Sequence, residues 1–477
     1  MTAWWQYKGL RALALVVLCC ALYLPGINTL PPFDRDEARF IQATRQMVES
    51  GDYIDIRFQD VPRHKKPIGI YWLQAASVNT LGAIDAIWSY RLPSFIGAVI
   101  AVLFTAAIGA RYFGNMGGLL AGAMLATTLL MGVEARLGKT DAAQLGAIMA
   151  AVYVLLRLWQ ERALPTWVAA GFWLAVGAGV LIKGPIILLV CASIMIGLSL
   201  SLRSAAWLKP LQPVWGVPLV LLMVAPWLIA ITIKSHGAFW QESVGQDLLS
   251  KAAGVQESHG GPPGYYLGTF FLTFWPWAFL LLPGAVYAWQ QRRSLSIQPL
   301  LVWIVPFWLL FELFPTKLLH YTLPVFPALA LLFAAMLRDT TLLATSRLWR
   351  FALGLGAAFV LVIGVGIPLA PLFAFPLTMS ISTLSIAAGL VLVAGIAVAR
   401  SLYTSRQTLA LGIGIGVLVN FYAAFWGQQF PGMDGFWVSR SAAQLVAAHR
   451  PLCAGPVTSI GYAEPSLIFL LGTDTKL

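Results

Sequence analysis

Pro32-Phe-Asp-Arg-Asp-Glu-Ala-Arg-Phe40 sets Asp34, Asp36 and Glu37 beside Arg35 and Arg39, directly behind the apolar run from Leu10 to Leu24. Only 10% of the 477 residues are charged, so a dense cluster at the edge of an apolar segment needs a topological or functional cause. The surrounding sequence supplies the topology. A chain that is 59% hydrophobic, with a mean hydropathy of +0.78, has more apolar surface than one soluble core can hide, and its apolar runs recur from end to end. The expected class is an all-α polytopic membrane protein. Leu10–Leu24 follows Lys8 and Arg11 as a signal peptide would, but no small-residue cleavage site stands behind it, so it reads as a retained anchor. Cys19, Cys20 and Cys191 lie in apolar runs and Cys453 in an aqueous segment, a pattern that implies no disulfide framework.

Runs long enough to cross about 30 Å of hydrocarbon number about thirteen. They centre near residues 18, 99, 124, 150, 174, 192, 222, 276, 304, 329, 360, 387 and 415, with Lys183-Gly-Pro185 as the turn between two of them. If the N-terminus is cytoplasmic, the inner loops hold nearly half of the 31 Lys and Arg against only two acids, Glu161 and Asp339. The outer segments then balance their own charges, and the whole net charge of +12 falls on the inner face, as the positive-inside rule requires. The basic composition therefore reports topology and gives no support to nucleic-acid binding. These features predict a bacterial-type inner-membrane protein with a cytoplasmic N-terminus and a periplasmic C-terminus. Its membrane domain would cover 1–426, with periplasmic loops at 28–85 and 235–264 and a short periplasmic tail at 427–477.

In the first outer loop, Phe40, Thr44, Met47 and Val48 have helical spacing and predict one interfacial helix. Pro67 to Leu81 predicts a second, with Ile70, Leu73, Ala76 and Ser77 on one side and Trp72 at headgroup level. Asp52 to Asp60 alternates like a strand or loop, and the tail predicts a helix from Val438 to His449 with one or two strands. Other ionisable residues approach the membrane from the same outer face: Arg136, Lys139 and Asp141; Lys183; and Lys317, His320 and Tyr321. A pore or proton relay distributes such groups through the bilayer, whereas these converge at one boundary. A lipid-phosphate leaving group sits at that depth. Lys or Arg neutralises its departing charge, and a carboxylate opposite removes a proton from an acceptor hydroxyl. Transfer of a sugar from a polyprenyl phosphate meets both demands.

Asp36-Glu-Ala-Arg39, Gln46-Met47, Gly51-Asp-Tyr53, Lys66-Pro67 and Tyr71-Trp72 resemble the first outer loop of the GT-C glycosyltransferases, among them bacterial relatives of protein O-mannosyltransferases and of the lipid A aminoarabinose transferase. The resemblance continues through Lys139-Thr-Asp-Ala142, Lys183-Gly-Pro185, His259-Gly-Gly-Pro-Pro-Gly-Tyr-Tyr266 and Lys317 with His320-Tyr-Thr-Leu-Pro324, so it spans most of residues 1 to 340. It implies an inverting transferase. Asp36 would be the catalytic base or acceptor-orienting group, assisted by Glu37. Lys66, Lys183, Lys317 and Arg136 would contact the donor phosphate, with Tyr321 stacking on the sugar or donating to the phosphate. Asp141, Arg39 and His320 would sit at the acceptor or behind these groups. The implied partners are a polyprenyl-phosphate sugar, a glycolipid such as lipid A or a protein acceptor, and membrane lipids.

Two departures limit that transfer. Phe40 stands where the family reads Tyr, and Lys65 replaces an acid before Lys-Pro, which removes a metal ligand. A divalent metal is thus not required by the sequence, although His64 and His259 remain possible ligands. Simpler roles compete at several positions. Asp34 with Glu37 reads as a capping box, Asp36 as a first-turn acid favoured by the helix dipole, and Lys183 as a snorkelling cation. Lys65 and Lys66 read as a headgroup patch, and His320 with Tyr321 as part of an aromatic belt. A lipid or polysaccharide transporter, or a non-catalytic scaffold, would also need many spans, but the segment after 340 lacks intramembrane charge and shows no matching broken helices.

Overall fold

A computed structural model describes residues 6–249, 260–339, 362, 407–450 and 455–477; the spans expected near 360 and 387 fall outside them, as do His259 and Cys453. The chain opens with α1 (Lys8–Tyr23), followed by the outer loop with α2 (Asp36–Ser50), a hairpin β1 (Arg57–Phe58) and β2 (Val61–Pro62), and α3 (Gly69–Leu81). The apolar helices follow: α4 (Ile87–Thr127), α5 (Leu129–Glu134), α6 (Thr140–Glu161), α7 (Thr166–Lys183), α8 (Ile186–Leu202) and α9 (Pro213–Lys234). Beyond them lie α10 (Tyr265–Thr273), α11 (Leu281–Gln290), α12 (Gln298–Leu313), α13 (Phe326–Arg338), α14 (Gln407–Ala424), α15 (Val438–His449) and α16 (Pro465–Leu471).

Among the described residues five helices are long and apolar enough to cross a membrane: Ile87–Thr127, Thr140–Glu161, Thr166–Lys183, Pro213–Lys234 and Leu319–Arg338. The chain is a polytopic, helical membrane protein. The runs near 99 and 124 form one continuous stretch of 41 residues, folded back on itself at Gly114, whose φ of +76° suits glycine. A Cβ on Gly109 would stand 2.8 Å from Gly118 Cα, so the two arms of α4 meet through small residues. The same device seats α4 on α6: a Cβ on Gly97 would lie 2.5 Å from Ala143 Cα. In hydrocarbon, where apolar burial gives no driving force between helices, such close backbone approach is what holds neighbours together. α13 packs on α4 and α7 on α6, making α4 and α6 the centre of the bundle. The turn Lys183-Gly-Pro185 separates α7 from α8 as expected, with Gly184 at φ +74°.

Two local expectations change, at Asp34 and in the tail, and α3 adds a buried polar residue. Asp34 is not a helix cap: the residue preceding α2 is Arg35, at φ +66°, and no side chain caps the helix there. Asp34 instead accepts a hydrogen bond from the Ser466 hydroxyl of the tail. α3 buries Ile70, Tyr71, Gln74 and Val78, while Leu73 stays 44% exposed. The buried face is chosen by Gln74, whose amide donates to Gly138 O at 2.9 Å and accepts from Thr44 Oγ1 at 2.6 Å. In the tail the helix has its expected bounds, Val438–His449, and among the described residues the rest forms an isolated bridge between Thr458 and Lys476 and the extra helix α16 in place of strands.

Candidate active site

The site lies where the first outer loop meets the α5–α6 connection and the start of the Leu319–Arg338 span. Its frame is a buried ion pair that sequence reasoning missed. Arg91 of α4, fully buried, donates from Nε to Glu37 Oε1 at 2.8 Å and from Nη2 to Glu37 Oε2 at 2.9 Å. Its remaining protons go to the carbonyls of Ile27, Leu30 and Pro31 at 2.8–3.1 Å. Glu37 also accepts from the backbone N–H groups of Gly138 at 2.6 Å and Phe33 at 3.0 Å. Both carboxylate oxygens are therefore committed, as a buried charge demands. An arginine just inside an apolar helix was the one available signal, because such a residue needs a buried acid.

Asp36, one residue before Glu37, has the opposite environment. It is exposed, and among the described residues it makes no hydrogen bond or ion pair. Its charge nevertheless helps hold the proton on Lys139, so the open carboxylate is near enough to act on the cation group. Arg39 is half-buried on the next turn and likewise makes no side-chain hydrogen bond among the described residues.

Below Asp36 is a pocket of alternating charge. Lys139 Nζ lies 2.9 Å from Glu134 Oε1 and 3.6 Å from Asp141 Oδ2. Lys183 Nζ donates to Asp141 Oδ1 at 2.5 Å, and His320 Nε2 is 3.8 Å from the same oxygen. The loop is fixed by Ser94, which donates to Lys139 O at 3.0 Å. Burial works against the Lys139 ammonium, but the Glu134 and Asp141 carboxylates outweigh it and hold it charged. Burial, aided by Asp141 and opposed by Lys139, pushes the Glu134 carboxyl up to about 7. Its Oε2 is buried without a hydrogen-bond partner, so burial is the larger influence even with Lys139 alongside. Glu134 escaped the sequence reading because it sits at the end of a short apolar helix.

Glu134, Asp141 and His320 each offer a ligand atom, all within 4.8 Å of one another. A divalent cation there would have to displace the ammonium groups of Lys139 and Lys183, which already neutralise the two carboxylates. Other expected members stand apart from the pocket or at its rim. Lys317 is buried, donating to Phe311 O at 2.9 Å and Glu312 O at 2.5 Å, with its ammonium 5.3 Å over the Tyr266 ring. Glu312 accepts from the N–H groups of Gly264 and Tyr266 at 3.1 and 3.2 Å, tying the second outer loop to the end of α12. Lys66 is close enough for its charge to act on His320. Tyr321 packs edge-on against His320, with centroids 5.2 Å apart. Arg136 is fully buried away from this group, donating to the carbonyls of Pro25, Gly132 and Leu22 and lying over Tyr422 and Trp426. Three of its five N–H protons are thus given to backbone carbonyls.

Above the lysines, His64 is buried, with Nε2 2.8 Å from Asp55 Oδ1 and Nδ1 3.6 Å from Glu242 Oε2. Phe40 lies 4.7 Å beneath the Arg63 guanidinium, which also donates to Tyr71 Oη at 3.0 Å. The phenol missing at position 40 is thus replaced by a cation–π contact.

A family model described as dolichyl-phosphate-mannose-protein mannosyltransferase matches residues 65–229. The chain is 29% identical over 373 residues to the undecaprenyl phosphate-alpha-4-amino-4-deoxy-L-arabinose arabinosyl transferase of Pectobacterium atrosepticum, an alignment covering 75% of this chain and 64% of that one. It is 30% identical over 361 residues to the enzyme of the same name from Aeromonas salmonicida, covering 73% and 64%. The alignments thus span somewhat less than two thirds of the length of these curated relatives. Among solved structures, ArnT from Cupriavidus metallidurans bound to undecaprenyl phosphate superposes with a TM-score of 0.77 at 19% identity, covering 96% of this chain and 84% of that one. The apo oligosaccharyltransferase of Archaeoglobus fulgidus gives 0.56 at 11% identity, covering 98% and 64%. The chain shares the fold of these solved structures, and in sequence it is similar to the aminoarabinose transferases.

Proposed function

We propose that this protein is an inverting membrane glycosyltransferase that moves a sugar, a pentose of the aminoarabinose type, from a polyprenyl-phosphate donor to a lipid A-like glycolipid on the periplasmic face. The observation that carries this reading is the exposed, unpartnered Asp36 carboxylate, near enough for its charge to act on Lys139, beside a fully saturated Glu37. Asp36 accepts the acceptor hydroxyl proton as that oxygen attacks the anomeric carbon. The bond between anomeric carbon and phosphate oxygen breaks on the opposite side, and the phosphate leaves with its charge met by Lys183, Lys66 and Lys317. Asp141 holds Lys183 in place through its 2.5 Å contact, His320 and Tyr321 border the sugar, and Glu37 positions the loop. In this reading α2 and α3 lie in the interface, about thirteen helices cross the membrane, the N-terminus is cytoplasmic and the tail periplasmic.

A protein acceptor is the second reading, favoured by the mannosyltransferase description of residues 65–229. The test uses full-length protein in lipid nanodiscs with undecaprenyl phosphate-linked 4-amino-4-deoxy-arabinose and, in separate reactions, lipid A or a Ser/Thr-rich peptide. Mass spectrometry should find lipid A heavier by one aminoarabinosyl unit. Addition to the peptide alone selects the second reading, and addition to neither acceptor rejects both for this donor.

A further inference from the structure

The tail lies against the helix that carries Asp36. Ser466, at the start of α16 and 0% exposed, donates to Asp34, and its oxygen is 2.5 Å from the hydroxyl of Ser439 on α15. Ser439 is in turn 2.7 Å from the hydroxyl of Tyr462. Each hydroxyl has one proton to give; with that of Ser466 serving the carboxylate, the protons of Ser439 and Tyr462 complete a chain that ends on Asp34. Further contacts run along the same helix: Gln42 Nε2 donates to Thr473 Oγ1 at 2.9 Å, and Thr473 donates to Glu49 at 2.8 Å.

Between Asp34 and Asp36 stands Arg35, a non-glycine residue at φ +66° and ψ −89°. Such a conformation is unfavourable for a residue with a Cβ and persists only where its surroundings over-determine it. Here there are two restraints, one on each side. Glu37 is held by Arg91 and by the backbone of Gly138, and Asp34 by Ser466. With both flanking acids engaged, Asp36 is the carboxylate of the three that is exposed and makes no hydrogen bond or ion pair among the described residues.

We propose that Ser466 is a positioning residue: by anchoring Asp34 it holds the Asp34–Glu37 turn in the conformation that presents Asp36. The consequence for turnover rests on the glycosyl-transfer reading; the consequence for the turn does not. The test compares full-length wild type, Ser466→Ala and Ser466→Thr in nanodiscs by hydrogen–deuterium exchange and by transfer kinetics.

Amides 33–40 should exchange at least about tenfold faster in Ser466→Ala, with α6 unchanged. With the aminoarabinosyl donor, kcat should fall about tenfold or more at a donor KM within about twofold. Ser466→Thr, which keeps the hydroxyl, should restore both. Unchanged exchange at 33–40 overturns the proposal whatever the activity, and faster exchange with unchanged kcat overturns the catalytic consequence. If wild type shows no transfer at all, the functional reading fails, and the exchange comparison alone decides whether Ser466 holds the turn. Should Ser466→Ala fail to fold, Tyr462→Phe removes the far end of the chain. Smaller acceleration confined to the same amides is expected, and its absence counts against the proposal.

Discussion

The turn that opens α2 and the pocket formed by Glu134, Asp141 and His320 both gather carboxylates beside cations, but they settle the charge differently. In the pocket Glu134 and Asp141 share Lys139, and Asp141 is also bound by Lys183 at 2.5 Å. At the turn Glu37 takes four hydrogen bonds, from Arg91, Gly138 and Phe33, and Asp36 takes none among the described residues. The difference follows from burial. A buried charge without a partner costs several kcal/mol, so the pocket has to be neutral within itself, whereas Asp36 is solvated and can remain available as a base. Adjacent acids in one motif are thereby divided between framework and chemistry.

The largest expected effect comes from removing the open carboxylate. Asp36→Asn should lower kcat by about 10²–10⁴-fold while leaving the affinity for undecaprenyl phosphate, measured by tryptophan fluorescence, within about twofold of wild type. Loss of phosphate binding together with turnover would place Asp36 in the donor site instead. Next is the buried pair. Arg91→Ala leaves Glu37 buried and uncompensated and should destabilise the protein by about 3–5 kcal/mol, read as a lowered unfolding midpoint in detergent. The double variant Arg91→Met with Glu37→Leu should recover most of that loss, because it removes both charges. Equal destabilisation by the double variant would mean that packing around the pair, not its charge, holds the loop.

A smaller effect belongs to the lysine group. Lys183→Met removes one charge-assisted contact and should weaken undecaprenyl phosphate binding by about tenfold or more, with Arg136→Met, remote from the pocket, changing affinity less. The reverse order would return Arg136 to the phosphate site. The smallest effect is in pH dependence. The Glu134 carboxyl is raised in the folded protein from 4.5 to about 7, so folding binds an extra proton; its contribution is complete below the unfolded value and is lost as pH rises through that interval. The unfolding midpoint of wild type should therefore fall relative to Glu134→Gln across the interval. Parallel curves would show that Glu134 ionises in the folded pocket as easily as in water.

Much of the bundle was legible because hydropathy acts locally and cumulatively. The runs near 150, 174, 222 and 329 became helices, and Lys183-Gly-Pro185 became the turn between α7 and α8 because glycine supplies the positive φ and proline starts the next helix. The two helices of the first loop were legible as helices, but the burial of Gln74 on α3 was not, because it is a polar residue whose partners Thr44 and Gly138 are distant in sequence. The capping role of Asp34 failed for the same reason, since its partner Ser466 lies 432 residues away.

Composition and periodicity were enough to determine a many-helix membrane protein, and the placement of charge to bring Asp36, Asp141, Lys183 and Lys317 forward as candidates. Those properties follow from the cost of transferring each segment into lipid, which depends on that segment alone. Which acid is spent on structure and which is kept for chemistry was decided only by the tertiary structure. That choice depends on whether a donor such as the Arg91 guanidinium or the Gly138 amide reaches a given oxygen, and no spacing within Asp34-Arg35-Asp36-Glu37 contains that information.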